Sequence, residues 1–197
     1  MTTIASIITL SILSYLCGSI SSAVIVSKLL NLPDPRTIGS KNPGTTNVLR
    51  SGGKKAAIFV LLGDILKGLF PVLVAKLVGI TGFGLGLVAL AAVLGHIFPI
   101  FLKFKGGKGV ATTLGVLISL SPTIALLSMI TWLVVALAFR YSSLAALVAI
   151  TLTPIYSLFF HGINYIMPLI AIAVLIIWKH QANIKRLREG TESKIKF

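Results

Sequence analysis

The chain has 197 residues, of which 56% are hydrophobic and only 11% charged, with a mean hydropathy of +1.01. Soluble domains carry about a quarter charged residues, and one domain of this length has no interior large enough for such an apolar surplus, which excludes a soluble globular fold and makes the bilayer the solvent. Eighteen Lys and Arg against four acids give a net charge of +14, which reads as membrane topology and attraction to anionic headgroups, not as nucleic-acid binding, because no soluble module or aromatic-interleaved basic patch accompanies it.

Apolar runs fall at roughly 4–27, 56–76, 84–100, 110–120, 123–139, 143–160 and 164–179. The first has no basic stretch ahead of it and is followed by Lys28, so it reads as a retained anchor helix and not a cleaved signal. It holds the lone cysteine, Cys17, which leaves no intramolecular disulfide and no cysteine metal cluster. Several runs approach the ~20 residues that cross an apolar core of ~30 Å. Run 110–120 is short, but fusing it with the next would bury Ser121-Pro122 in mid-helix. Proline has no amide to donate and restricts its predecessor, so a break is expected there. The expectation is an all-α polytopic transmembrane bundle of seven spans, in a single membrane domain over residues 1–197, with five spans as the alternative.

Charge sets the orientation. Lys28, Arg36, Lys41, Arg50, Lys54 and Lys55 lie on the first connection, Lys103, Lys105 and Lys108 on the third, Arg140 on the fifth, and Lys179 to Lys196 at the end. The intervening connections are nearly bare, with Lys76 the exception. The positive-inside bias then puts the amino terminus outside and the carboxyl terminus in the cytoplasm. A five-span chain would leave Arg140 outside. The basic stretch from Ile184 to Phe197 reads as a short interfacial helix or a loose end.

Chemistry gathers on the basic side. Residues 34–50 combine Arg36, Lys41 and Arg50 with two glycines and the short donors Ser40, Thr46 and Asn47, a composition suited to an anion. In the third connection Gly106, Gly107 and Gly109 surround Lys108 just before an apolar helix, where free amides and a positive dipole end could meet a phosphate. The Walker A spacing is absent. Asp64 and Lys67 lie three residues apart inside the second span, on one helix face where they can pair, and the pair must face the bundle or a wet groove, in a structural role near the site. His96 and His180, the latter followed by Asn183, fall on the basic side as general bases or hydrogen-bonding spacers, whereas His161 lies on the other side and takes no role. Arg140 and Ser142 complete the basic face. Neither zinc spacing nor a Gly-x-Ser-x-Gly elbow is present. The residues alone thus point to a cytoplasm-facing anion site at the bilayer boundary, in a transferase or an anion transporter.

The stretches 18–20, 38–48, 63–68, 95–99, 104–112 and 140–143, with His180 and Asn183, resemble in order those of the bacterial acyl-phosphate:glycerol-3-phosphate acyltransferase family. The resemblance implies seven spans, an external amino terminus, and transfer of an acyl group from acyl phosphate to glycerol 3-phosphate, giving lysophosphatidic acid and phosphate. It implies His180, Asn183 and Ser40 as catalytic residues. Arg50, Thr46, Asn47, Gly106, Gly107, Lys108, Gly109, Ser142, Arg140 and His96 would bind substrate, with no cofactor and no metal. Its expected partners are the two substrates, membrane lipids and a soluble acyl-phosphate-forming enzyme, with no nucleic acid, and its expected place is the cell inner membrane with the active site facing the cytoplasm. The His-x4-Asp pair of soluble acyltransferases is missing, since Ile100 follows His96 and Tyr165 follows His161 at that spacing. Pro43 and Thr45 depart from the small residues expected in the first motif, and Pro43 stiffens that loop.

Overall fold

The computed structural model describes residues 3–195. Lys196 and Phe197, the end of the expected basic tail, lie outside the described residues. Within them the chain is all-α, as composition predicts: α1 (Ile4–Gly18), α2 (Ser22–Leu29), α3 (Thr45–Leu77), α4 (Gly82–Ile97), a 3-10 turn (Ile100–Leu102), α5 (Val110–Leu120), α6 (Pro122–Phe139), α7 (Ser142–His161), α8 (Ile166–Lys179) and α9 (Gln181–Arg188).

The expected break at Ser121-Pro122 is present. Leu120 ends α5, Pro122 opens α6 where its missing amide costs nothing, and the Ser121 hydroxyl accepts from the Ile124 amide. Two other boundaries differ from expectation. The first apolar run is split after Gly18, and Ser21 caps α2 through the Val24 amide. The second helix begins at Thr45, well before residue 56, so Thr46, Asn47 and Arg50 sit on its opening turns instead of in a loop. Gly44 accepts from the Asn47 and Val48 amides to start it, and Gly53, at φ 78, absorbs a kink that the helix survives.

Among the described residues, length and composition give five crossing helices, or six if α8 and α9, bent by 58°, count as one span. Seven were expected. The difference lies in α5 and α8, which have 11 and 14 residues; at about 1.5 Å per residue α5 covers about 16 Å, half an apolar core.

The core forms around α4, where Val88, Ala92, Val93 and Ile97 pack against Val72, Val116 and Ile172. Without water to drive helices together, small residues let backbones approach. A Cβ on Gly18 would stand 2.1 Å from the Ala92 carbonyl oxygen, and one on Gly95 2.1 Å from that of Tyr15, which locks α1 to α4. Gly68 and Gly115 do the same for α3 and α5. The Tyr15 hydroxyl donates to Phe98 O at 2.8 Å and fixes the chain leaving α4. Large apolar side chains such as Phe70, Leu133 and Val134 point outward, as a lipid-facing surface requires. Lys76, the exception to the charge pattern, donates to Ser119 O and Leu120 O, so its charge caps the carbonyl end of α5.

Candidate functional site

The start of α3, the turn before α5, the start of α7 and the α8–α9 junction meet at one end of the bundle. Lys108 Nζ donates to Asn183 Oδ1 at 2.5 Å, which ties the turn before α5 to α9. Asn183 Nδ2 donates to Glu192 Oε1 at 2.6 Å. The same oxygen accepts from Ser143 Oγ at 2.8 Å, and Arg186 Nε donates to Glu192 Oε2 at 2.6 Å. Beside this knot the Ile195 amide donates to Arg140 O, and the Arg140 guanidinium donates back to Ile195 O. The residues after α9 therefore strap the α6–α7 connection to the site.

Electrostatics follow from that geometry. Burial pushes the Lys108 ammonium down to about 8; Glu192 opposes the shift, while Arg186, Arg50 and Lys179 add to it. Burial would raise the Glu192 carboxyl, but hydrogen bonds from Asn183, Ser143 and Arg186 outweigh it and hold the group below the usual carboxylate range. Three further cations therefore act on Lys108 against one carboxylate, and the positive surplus suits a bound anion.

His180 is buried at the α8–α9 junction with Nδ1 2.7 Å from Ile176 O. That partner accepts, so Nδ1 carries the proton and Nε2 is left as the acceptor. Asn47 is also buried, and its amide is engaged by the loop before α3. Its Oδ1 accepts from the Ser40 amide at 3.0 Å, and its Nδ2 donates to Pro35 O and Ile38 O at 2.8 and 3.1 Å. The Ser40, Thr46 and Arg50 side chains are exposed beside it.

The glycines before α5 build a tight turn. The Gly106 and Gly107 amides are not free: they donate to Ile97 O and His96 O, each at 3.2 Å. Glycine is required because a Cβ on Gly106 would stand 2.1 Å from His96 O, and one on Gly107 2.2 Å from His96 Nε2. Gly109, at φ 88, then turns the chain into α5.

The structure thus brings Lys108, Asn183, His180, Arg50 and the connection bearing Arg140 and Ser142 to one end. Ser40, in the loop before α3, and Thr46 and Asn47, on the first turn of α3, lie beside them, and His96 lies beneath the turn. Sequence reasoning gave no individual site role to Glu192, Ser143 or Arg186, although Ser143 closes the matched stretch 140–143 and Arg186 lies in the basic tail. Glu192 carried one usable signal: it is one of only four acids in a chain with 18 basic residues, and it falls where basic residues concentrate.

A family model for glycerol-3-phosphate acyltransferase matches residues 8–190. A glycerol-3-phosphate acyltransferase of Coxiella burnetii is 55% identical over 186 residues, which span 94% of this chain and 96% of the relative. One of Vibrio cholerae is 54% identical over 184 residues, or 93% and 88% of the two chains. Crystal structures of an integral membrane glycerol 3-phosphate acyltransferase, in its glycerol 3-phosphate and lysophosphatidic acid forms, superpose with TM-scores of 0.92 and 0.90 at 42% identity, covering 97% of this chain and 96% of the other.

Proposed function

The chain belongs to the glycerol-3-phosphate acyltransferase family, and from that premise we propose that it transfers an acyl group from acyl phosphate to glycerol 3-phosphate, giving 1-acyl-sn-glycerol 3-phosphate and inorganic phosphate. The observation that carries the reading is the cationic end of the bundle, where Arg186, Arg50 and Lys179 act on Lys108 and, among the described residues, only the Glu192 carboxylate opposes them. Both substrates are anionic, one is water-soluble and the other lipid-like, and such a cluster at the end of an apolar bundle suits that combination.

An acyl phosphate is a mixed anhydride with a good leaving group, so the missing His-x4-Asp pair is tolerable: the enzyme mainly holds two anions and an alkyl chain in attack geometry. The substrate hydroxyl attacks the acyl carbon, the bond to the phosphate oxygen breaks, and the proton passes to the phosphate of glycerol 3-phosphate. His180 Nε2 is the alternative acceptor. In this reading His180, Asn183 and Ser40 serve catalysis. Arg50, Lys108 and Arg140 hold phosphate with Thr46 and Ser142, Asn47 acts in binding by ordering the loop that carries Ser40, and Gly106, Gly107 and Gly109 shape the turn over His96. Residues 1–197 form one acyltransferase domain in the cell inner membrane, with the site facing the cytoplasm. There glycerol 3-phosphate arrives from solution and a soluble enzyme supplies acyl phosphate, for the first acylation of phospholipid synthesis.

Purified protein given palmitoyl phosphate and glycerol 3-phosphate should release phosphate and form the monoacyl product, whereas palmitoyl-CoA in place of palmitoyl phosphate should give none. No release in several detergents and in liposomes would overturn the proposal.

A further inference from the structure

Three buried titratable side chains lie outside the knot at Lys108, directly beneath the turn that presents it. Asp64, Lys67 and His96 are 2, 8 and 7% exposed. Lys67 Nζ stands 2.8 Å from Asp64 Oδ1 and donates to Ile20 O at 2.8 Å, where the first apolar run is broken between α1 and α2. His96 Nδ1 lies 3.7 Å from the same Asp64 oxygen and has no hydrogen-bond partner. The opposite ring edge faces Gly107, whose missing Cβ would stand 2.2 Å from Nε2. The imidazole is therefore wedged between an ion pair and the residue preceding Lys108.

Helix packing alone does not call for such an ion pair. Gly68 and Gly115 already bring α3 and α5 into contact, and an apolar pair of similar volume is often as stable as a buried ionic one. Ionisable side chains inside apolar spans generally mark function. Among the described residues, no hydrogen bond or ion pair joins Asp64–Lys67 to the Lys108–Asn183 contact, and what links them is His96 with the turn it supports.

We infer that Asp64, Lys67 and His96 form a positioning unit for Lys108. Lys67 holds the Asp64 carboxylate and the broken α1–α2 backbone, Asp64 orients the imidazole, and the imidazole fixes the Gly106-Gly107 turn so that Lys108 Nζ is held where the anion binds. His96 thus acts through Lys108 and not on the substrate. The inference rests on the acyltransferase reading.

The test is steady-state kinetics with glycerol 3-phosphate varied, on wild type, Asp64→Asn, His96→Gln, His96→Ala, Lys108→Ala and the His96→Ala/Lys108→Ala double variant. A residue acting through another is non-additive with it. His96→Ala and Asp64→Asn should raise KM for glycerol 3-phosphate about tenfold with a smaller change in kcat, the loss of roughly one charge-assisted contact. His96→Gln, which keeps a polar group at that position, should recover most of the loss, and the double variant should be no worse than Lys108→Ala. Multiplied losses in the double variant, or a fall in kcat at unchanged KM, would overturn the unit. If His96→Ala does not purify as a monodisperse species, Asp64→Asn in the Lys108→Ala background decides by the same criterion. An inactive wild type would instead remove the acyltransferase reading, an outcome distinct from active wild type with additive variants.

Discussion

Lys108 carries a charge whose persistence depends on pH. Burial and neighbouring cations hold its free-state pKa at about 8, while a phosphate monoester is mostly dianionic above about pH 6. Raising the pH through 8 should therefore strip the ammonium without changing the substrate, and kcat/KM for glycerol 3-phosphate should fall along that limb. Lys108→Arg keeps its charge, so its profile should stay flat to higher pH even if its plateau is lower. Arg50 makes a different demand: its planar fork binds phosphate through two donors, so Arg50→Lys should not restore what Arg50→Ala loses, about ten- to a hundredfold in kcat/KM. Lys54→Ala, in the same connection but outside the matched motifs, should stay near wild type, and equal losses at Arg50, Lys108 and Lys54 would reduce all three to headgroup anchors. Glu192 serves stability: one carboxylate accepts from Ser143, Asn183 and Arg186. Glu192→Ala leaves those donors unanswered and should cost about 1–3 kcal/mol, visible as a lower unfolding temperature in detergent. Lys108, Asn183 and His180 are legible in the sequence because they stand in motifs. Glu192 was not, since its partners come from α7 and α9 and only the folded chain makes them neighbours.

Helices α3 and α5 meet backbone to backbone, and this contact holds the turn before α5 in place. A Cβ at Gly68 would stand 2.2 Å from Thr112 O, and one at Gly115 1.9 Å from Ile65 O. Backbone cannot yield as a side-chain tip does, so Gly68→Ala or Gly115→Ala should force the helices apart at about 1–3 kcal/mol. Because α5 follows directly from Lys108, the same variants should raise KM for glycerol 3-phosphate as they lower thermal stability; a thermal loss with KM unchanged would show that the turn is held independently of α5. The sequence announced the α5–α6 break because proline marks it. It hid the α1–α2 break, since residues 18–21 contain no proline and interrupt the apolar run only with small side chains. It also hid the early start of α3, where Gly52-Gly53 and Lys54-Lys55 look like a loop while the helix passes through a kink. The Asp64–Lys67 pair was readable from its spacing of three, but its contact with His96 needed the packing of α3 against α4.

At the scale of the whole molecule, the order of short polar motifs between apolar runs made the family readable, because each motif falls where the chain must surface. Which surface is which rests on charge. The end that carries the site also carries Lys103, Lys105, Lys108, Arg140, Lys185 and Arg186, while the opposite connections are nearly uncharged. Lys76, the exception to the pattern, gives its ammonium to the carbonyl end of α5 and so contributes little to a free surface field. Positive-inside sorting then predicts that the site end faces the cytoplasm. Single cysteines in a Cys17→Ser background test this. Gly162 sits at φ 58, which favours glycine, so the neighbouring Ile163, 78% exposed, is the better reporter for the bare end. Glu189, exposed and outside the knot at Glu192, reports the site end. An impermeant maleimide should label Ile163→Cys in intact spheroplasts and Glu189→Cys only after lysis. The reverse pattern would put the anion site outside the cell, away from any intracellular supply of glycerol 3-phosphate and acyl phosphate, and would overturn the orientation together with the substrate assignment that depends on it.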